Sequence, residues 1–280
     1  MSRSRWWNRP RFNAVHVVLL VLLVAAVTAA VTFVEQRLAW AAVWYPALTP
    51  AQEAARLKGR YGPGKYSRWG EEWIIRDYFH DARAGYFVDV GANDYKVESN
   101  TYYLETRLGW SGLAIDPQTS FAADYGRYRP RTRFFSFFVS DTSDVSTDFY
   151  LADGNSLVAS ADRAFTEGNG REIPSAVLRA KKVSVPTVRL TDLLDHARVT
   201  HIDLLSVDVE LAEPKVLAGF DIDRFQPALV CIEAHPRVRQ QILDYFAAHR
   251  YVALGRYLAA DLHNLYFAPL QTDDTRSRQK

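Results

Sequence analysis

The sequence contains very little cysteine: among its 280 residues, the single cysteine is Cys231, inside the apolar run 228–232. One cysteine cannot form a disulfide within the chain, so cysteine usage does not indicate an oxidising or a reducing compartment. The apolar neighbours of Cys231 favour a buried thiol in a β-strand.

An excess of charge is also lacking, because the net charge is only +2. No stretch interleaves basic and aromatic residues, as an RNA- or DNA-binding surface requires, and this argues against a nucleic-acid partner. No internal repeat is visible. The composition, 48% hydrophobic and 24% charged, is that of an ordinary globular protein.

Charge is absent from residues 14–34, an apolar run about as long as a helix needs to cross a bilayer. Trp6 and Trp7 precede this run, and Trp40, Trp44 and Tyr45 follow it, as aromatic residues do at membrane interfaces. We predict a basic arm over residues 1–13, a transmembrane helix over 14–34 and a linker over 35–65. A cleaved signal peptide, the alternative, has a shorter apolar region.

The sequence does not decide on which side of the membrane the large domain of this predicted single-pass protein lies. The arm carries four arginines, whereas only Arg37 closely follows the apolar run, so the positive-inside rule places the large domain outside the cytoplasm. The cofactor inferred below is made in the cytoplasm, which favours the opposite side.

The stretch 86–94, Tyr-Phe-Val-Asp-Val-Gly-Ala-Asn-Asp, predicts a buried parallel strand that brings Asp89 and then a tight turn to the edge of a sheet where ligands bind. A dinucleotide-binding turn needs three glycines. Here only Gly91 is present, Asn93 tolerates positive φ in place of the second, and Tyr95 replaces the third. The turn therefore suits a cofactor without a pyrophosphate, such as S-adenosylmethionine.

A second apolar strand, 112–115, also ends in an acid. This acid, Asp116, follows Gly91 at about the spacing of a carboxylate that accepts hydrogen bonds from both ribose hydroxyls of an adenosine. A helix over residues 99–108 connects the two strands and completes a βαβ unit.

Two further acids are candidates for contacting the cofactor. A third strand, 133–139, leads to Asp141, which would accept a hydrogen bond from an adenine amine or else form a turn. Glu71, with Glu72, begins a helix just before the first strand, and would either touch the cofactor or be a solvated acid favoured by the helix dipole.

Several stretches of the chain, in order, resemble the FkbM family of S-adenosylmethionine-dependent methyltransferases. They run over residues 66–79, 87–94, 99–105, 109–117, 203–210, 216–221 and 232–233. The resemblance covers residues 66–270, with 142–182 only loosely matched. It implies an α/β fold: a Rossmann-like class I methyltransferase sheet with helices on both faces, which residues 251–255 and 264–268 close as an antiparallel pair.

The chain departs from the family pattern at three positions. Tyr95 and Leu211 stand where the family usually has glycine, and Asp116 stands where it usually has glutamate. Aspartate keeps the carboxylate but shortens its reach. The two missing glycines predict a reshaped substrate pocket or a weakened cofactor site.

The fourth and fifth strands, 202–207 and 228–232, supply the expected reacting centre. Because the carboxyl ends of adjacent parallel strands open into one crevice, we expect four side chains to converge there: Asp208, Glu210, Glu233 and His235.

The resemblance implies methyl transfer to a hydroxyl, which needs an aligned oxygen and a base. His235 is the first candidate for the base because histidine titrates near neutral pH, and Asp208 is the second. Glu210 would bind substrate hydroxyls or cap the next helix. The sequence spacing of these acids is too loose to predict a metal site.

We therefore expect a membrane-anchored O-methyltransferase whose acceptor is a small molecule, a sugar, a glycan or a lipid-linked saccharide. Residues 153–182 are the expected substrate loop, or else a disordered insertion, and 271–280 are expected to be a flexible tail. A nicotinamide-dependent oxidoreductase would need the missing glycines. A non-catalytic, membrane-anchored binding module on a decayed methyltransferase fold is the other alternative. The oligomeric state is not indicated.

Overall fold

A computed structural model describes residues 48–152, 155–168 and 180–270 of the chain. The strands are β1 (Tyr86–Val90), β2 (Ser111–Ile115), β3 (Thr132–Phe135), β4 (Phe138–Ser140), β5 (Ser146–Ala152), β6 (Asn155–Ser160), β7 (Ala180–Arg189), β8 (Leu204–Val207), β9 (Leu229–Glu233), β10 (Tyr251–Ala253) and β11 (Asn264–Pro269). The helices are α1 (Pro50–Tyr61), α2 (Glu71–Phe79), α3 (Tyr102–Leu108), α4 (Ala122–Tyr128), α5 (Arg163–Gly168), α6 (Leu190–His196), α7 (Glu213–Ala218), α8 (Ile222–Phe225) and α9 (Arg239–Ala248).

The main sheet has seven strands in the order β10-β11-β9-β8-β1-β2-β3. The strands from β9 to β3 are parallel to their neighbours, whereas β11 is antiparallel to both β9 and β10. The predicted antiparallel closing pair is therefore confirmed. The chain moves outward from β1 to β3 and later returns to place β8 beside β1, so the strand order reverses between β1 and β8. Ligands of open α/β sheets bind at such a reversal.

Alternate residues of the central strands bury themselves on opposite faces of this sheet. Phe87 belongs to a core formed with α1, α2 and α3, whereas Val88 belongs to a second core formed with α6, α7 and α9. Both side chains have no exposed surface. Strands buried on both faces explain why the sequence shows continuous apolar runs rather than alternation, and the helices lie on both faces as expected.

A second sheet, of four strands in the order β4-β7-β5-β6, corrects two sequence predictions. The strand predicted over 133–139 divides into β3, in the main sheet, and β4, which pairs with β7 in the second. The segment 153–182 is not simply a loop, because its described part contains β6 and α5 and the first residues of β7. The sequence did not indicate that these elements form one sheet.

Residues that we placed in the linker 35–65 form the helix α1, which packs on the domain. Leu57 is fully buried in the core next to α2. Arg56 donates hydrogen bonds to the carboxylate of Asp77 on α2 at 3.2 and 3.3 Å, and the hydroxyl of Tyr257 reaches the same carboxylate at 3.0 Å.

The predicted arm 1–13, transmembrane helix 14–34 and tail 271–280 lie outside the described residues. Among the helices in the described ranges, none is long and apolar enough to cross a membrane.

Candidate active site

A pocket opens at the carboxyl ends of β1, β2 and β8, beside the reversal of strand order. It has a volume of about 900 Å³, including the solvent at its mouth. Seven of the predicted site residues line it: Glu71, Asp89, Gly91, Asn93, Asp116, Asp208 and Glu210.

The turn after β1 brings three strand ends together. Gly91 has φ +83°, and a Cβ added there would lie 1.7 Å from the carbonyl oxygen of Asp208, so only glycine fits. The backbone N–H groups of Gly91 and Ala92 both donate to the carbonyl oxygen of Ile115, at 2.8 and 3.2 Å. Asn93 has φ +49°, which confirms the positive φ expected of it.

Asp116 is held in the pocket wall by backbone hydrogen bonds. It is only 5% exposed, and it accepts hydrogen bonds from the backbone N–H of Asn93 at 3.1 Å and of Gln118 at 2.8 Å. Burial raises the pKa of Asp116 to about 6, although these hydrogen bonds oppose the shift. The fold thus fixes the orientation of this carboxylate before any ligand binds.

A buried polar network orients the carboxylate of Asp89. Its carboxylate accepts a hydrogen bond from the Thr101 hydroxyl at 2.9 Å. That hydroxyl oxygen in turn accepts one from Arg129 at 3.1 Å, and the fully buried Arg129 forms an ion pair with Glu105 at 2.5 Å. Burial raises the pKa of Asp89, while Thr101 and Arg129 oppose the rise. Sequence reasoning missed Arg129 because nothing near it forms a motif.

Glu71 and Glu72 are buried, so the interpretation of either as a solvated acid is wrong. Glu71 accepts hydrogen bonds from the backbone N–H of Trp69 at 2.8 Å and from the side-chain amide of Asn264 at 3.2 Å. Burial, with the charge of Asp261, raises the pKa of Glu71 to about 7. Glu71 lines the pocket, and Glu72 turns away from it to accept a hydrogen bond from the backbone N–H of Tyr66 at 2.8 Å.

Three carboxylates gather where β8 and β9 end. Side-chain oxygens of Asp208, Glu210 and Glu233 all lie within 4.8 Å of one another, which is close enough to share a divalent cation. The side chain of Asp208 is exposed, yet the surrounding protein atoms and the charges of Glu233 and Glu71 raise its pKa well above the usual range. Burial and the charge of Asp208 raise the pKa of Glu210. Carboxylates this close share protons near neutral pH.

The structure does not bring Asp141 to the pocket. Asp141 follows β4 in the second sheet and is exposed. Its carboxylate accepts hydrogen bonds from the hydroxyls of Ser140 and Thr142, at 3.0 and 3.3 Å. The break between β3 and β4 therefore carries Asp141 away from the site.

His235 also lies outside the pocket lining. Its Nδ1 accepts a hydrogen bond from the backbone N–H of Arg237 at 3.2 Å, and its ring stands edge-on to Phe165 of α5 with centroids 5.8 Å apart. Burial and the charge of Arg237 lower its pKa. The residue predicted first as the base instead packs against the second sheet's helix.

Other lining residues were not predicted from the sequence. The second sheet contributes Phe138, Phe149 and Ala159, which make one wall of the pocket apolar. Among the described residues that line the pocket, Arg68 carries the only positive charge, and it pairs with Glu98 at 3.7 Å. No sequence signal could place Phe149 or Ala159 here, because the second sheet was not recognised.

The two departures from glycine differ in their backbone conformation. Tyr95 is not among the described residues with positive φ, and its ring stacks on Tyr128 with centroids 4.8 Å apart. Leu211 has φ +80° and follows Glu210 at φ +54°. A leucine in this region is strained, so the expected cost of a missing glycine falls on the loop after β8 rather than on the turn after β1.

The strand order and the pocket define a Rossmann-like α/β protein with the architecture of the class I methyltransferases. A family model of the FkbM methyltransferase domain matches residues 89–253, which are more than half of the chain. The chain belongs to the FkbM methyltransferase family. No curated protein and no solved structure gives a significant match.

The pocket residues fit S-adenosylmethionine, the cofactor typical of this family. The fixed carboxylate of Asp116 suits ribose hydroxyls, which donate hydrogen bonds. Phe137 and Val139 line the same pocket and give the apolar surface that an adenine ring needs. Acids outnumber the single Arg68 in the lining, and this suits a sulfonium cation and not a pyrophosphate.

Proposed function

We propose that this chain is a membrane-anchored, S-adenosylmethionine-dependent O-methyltransferase that acts on a hydroxyl of a sugar, a glycan or a lipid-linked saccharide. The observation that carries the proposal is the position of Asp116, buried at the end of β2 and fixed by two backbone N–H groups at the pocket wall. An acid there selects a nucleoside with free ribose hydroxyls.

The bound cofactor supplies an activated methyl group. In our proposal, Asp116 accepts the hydrogen bonds of the ribose, Glu71 also lines the pocket, and Asp89 accepts a hydrogen bond from Thr101 that supports the turn. Gly91 and Asn93 bring the backbone of that turn close to the ligand. These residues bind and orient, and none of them needs to exchange a proton during turnover.

Asp208 is our candidate for the proton acceptor. It lines the pocket, and its oxygens lie near those of Glu210 and Glu233. Burial and the charge of Glu233 raise the pKa of Asp208, and a raised pKa makes a carboxylate a stronger base. The bound cofactor would supply the methyl group to the acceptor oxygen, and Asp208 would take up the proton that the acceptor hydroxyl loses.

The choice of acceptor rests on the pocket wall and on the predicted anchor. Phe138 and Phe149 of the second sheet offer apolar surface opposite the acids, and a saccharide presents both apolar C–H faces and hydroxyls. A chain tethered at residues 14–34 works beside membrane-borne substrates. This supports a lipid-linked saccharide over a freely diffusing one.

The test is transfer of radiolabelled methyl from S-adenosylmethionine to a lipid extract by the full chain in detergent, with Asp208→Asn as the matched variant. An O-methyl ether survives mild alkali, whereas a methyl ester does not, so we expect alkali-stable label that the variant fails to produce. If the chain binds S-adenosylmethionine yet never transfers label, the non-catalytic binding module becomes the better account.

A further inference from the structure

Exposed apolar side chains gather in three loops near the pocket mouth. Of the seven large hydrophobic side chains that are exposed among the described residues, four lie in these loops: Trp69 (42% exposed), Val97 (64%), Leu258 (43%) and Leu262 (68%). We call these four residues the apolar rim. Exposing several large apolar groups together is unfavourable unless something covers them.

Contacts join the loop of Trp69 to the loop that carries Leu262. The indole ring of Trp69 stacks on the imidazole of His263, with centroids 4.1 Å apart and an interplanar angle of 6°, and Leu262 precedes His263. The next residue, Gly70, lies against the same loop, because a Cβ added there would be 3.4 Å from the carbonyl oxygen of Ala260.

The rim adjoins the pocket on its other side. Ser67 forms a parallel bridge with Glu98, and Arg68 pairs with Glu98 at 3.7 Å. Arg68 and Glu98 both line the pocket, while their neighbours Trp69 and Val97 belong to the rim. Whatever covers the rim therefore also faces the entrance to the pocket.

Two cationic side chains, Lys96 and Arg68, lie next to residues of the apolar rim. Lys96, next to Val97, is exposed, and its ammonium lies 6.0 Å from the ring of Tyr66 and 5.8 Å from that of Tyr102. The guanidinium of Arg68 lies 5.3 Å from the Trp69 ring. Protruding tryptophan and leucine next to lysine and arginine are the composition of surfaces that lie in a lipid interface.

We propose that the apolar rim docks on an anionic bilayer surface, so that the mouth of the pocket opens onto lipid headgroups. The predicted membrane span ends at residue 34 and α1 begins at Pro50, so the intervening chain reaches at most about 50 Å. This tether keeps the domain within reach of a bilayer, and the rim supplies both apolar and cationic contacts. The inference goes beyond methyl transfer and does not depend on it.

The test places a fluorophore on the rim of the full chain. Leu262→Cys is labelled with an environment-sensitive dye, and Val145→Cys, at an exposed valine (50% exposed) just before β5, is the matched control. The native Cys231 is buried and does not compete for the label. Each protein is reconstituted in vesicles of phosphatidylcholine and phosphatidylglycerol that carry a lipid-bound quencher.

We expect several-fold stronger quenching at position 262 than at position 145, together with a blue shift at 262 alone. Equal, weak quenching at both positions would overturn the docking proposal, whether or not the chain is anchored. If, in that case, Trp69→Ala also loses turnover on a soluble saccharide, we would conclude that the indole ring contacts the acceptor sugar instead of a bilayer. The quenching results do not depend on cofactor binding, so failure here is distinct from failure of the proposed function.

A charge reversal checks the choice of an anionic surface. Lys96→Glu should lower the quenching at position 262 in vesicles with phosphatidylglycerol and leave it unchanged in pure phosphatidylcholine. Lys215→Glu is the matched control, because Lys215 is an exposed lysine on α7, which packs on the opposite face of the main sheet. Equal effects of the two reversals would contradict a role for the rim.

Discussion

The pocket has two halves, one at the ends of β1 and β2 and the other at the ends of β8 and β9, and their acids are held in different ways. At the ends of β1 and β2, each acid is buried and held by hydrogen bonds from the protein itself, as Asp116 is by Asn93 and Gln118. At the ends of β8 and β9, three carboxylates crowd within 4.8 Å of one another, and burial together with the neighbouring charges raises the pKa values of Asp208 and Glu210.

This difference separates binding from chemistry. A carboxylate whose oxygens already accept backbone N–H groups keeps one orientation and suits a ligand that is always the same. Carboxylates that repel one another hold protons near neutral pH and exchange them readily, as a reacting centre requires. The predictions below test whether the two halves are as distinct as their contacts suggest.

The largest effect should come from Gly91→Ala, which disturbs the point where both halves meet. The new Cβ would lie 1.7 Å from the carbonyl oxygen of Asp208, at a φ of +83°. We expect the variant to lose cofactor binding and most of its stability in urea unfolding. Gly126→Ala is the control, because no atom lies within 4 Å of its added Cβ; within α4 it should stabilise by about 0.5–1 kcal/mol.

Arg129→Met should cause the next largest loss in the free energy of unfolding. It removes one partner of the buried ion pair with Glu105 and the hydrogen bond to Thr101 that supports Asp89. Breaking such a pair costs about 3–5 kcal/mol, measured as the free energy of unfolding. Arg127→Met, at an exposed arginine of α4, should change it by less than about 0.5 kcal/mol. Similar values for both variants would contradict the network.

Glu213, the first residue of α7, is a further buried acid after β8. Glu213→Gln should reveal how much its ionised carboxylate lowers the free energy of unfolding. Burial raises the pKa of Glu213 to about 7, above its unfolded value of 4.5. The folded state therefore holds the proton more tightly, so this contribution to stability is complete below pH 4.5 and is lost as the pH rises through 7. At pH 8 the variant should be more stable than the natural chain by about 3 kcal/mol, and the gain should vanish near pH 4. A gain that is constant with pH would contradict this account.

The smallest effect concerns the two departures from glycine. Tyr95→Gly loses the stack on Tyr128 and relieves no strain, whereas Leu211→Gly relieves a φ of +80°. Both lose side-chain packing, so Tyr95→Gly should be the more destabilising variant by about 1 kcal/mol. The measurement is urea unfolding of the two variants side by side, and the reverse order would mean that Leu211 is not strained.

Sequence reasoning succeeded where local pattern decides structure. The runs that became β1, β2, β8 and β9 are apolar and end in acids, so both their strand character and the position of Asp116 followed from the pattern. Sequence reasoning failed where tertiary contacts decide the position of a residue. The break between β3 and β4 carried Asp141 away from the pocket, and the unrecognised second sheet drew His235 towards Phe165.

The acidic cluster was predicted from the same pattern. Because adjacent parallel strands open into one crevice, we expected Asp208, Glu210 and Glu233 to converge, and the pairing of β8 with β9 brings their oxygens within 4.8 Å of one another. Arg129 could not be recognised, because its partners Thr101 and Glu105 lie 28 and 24 residues earlier in the chain.

The most direct test of the division between the halves is calorimetric titration of S-adenosylmethionine into the full chain in detergent and into two variants. Asp116→Asn removes a charge from the binding half, and Asp208→Asn removes one from the reacting half. The account predicts that the natural chain and Asp208→Asn bind with similar affinity and that Asp116→Asn binds at least about tenfold more weakly, equivalent to 1.4 kcal/mol. Equal binding by all three proteins, or loss of binding in Asp208→Asn alone, would contradict it.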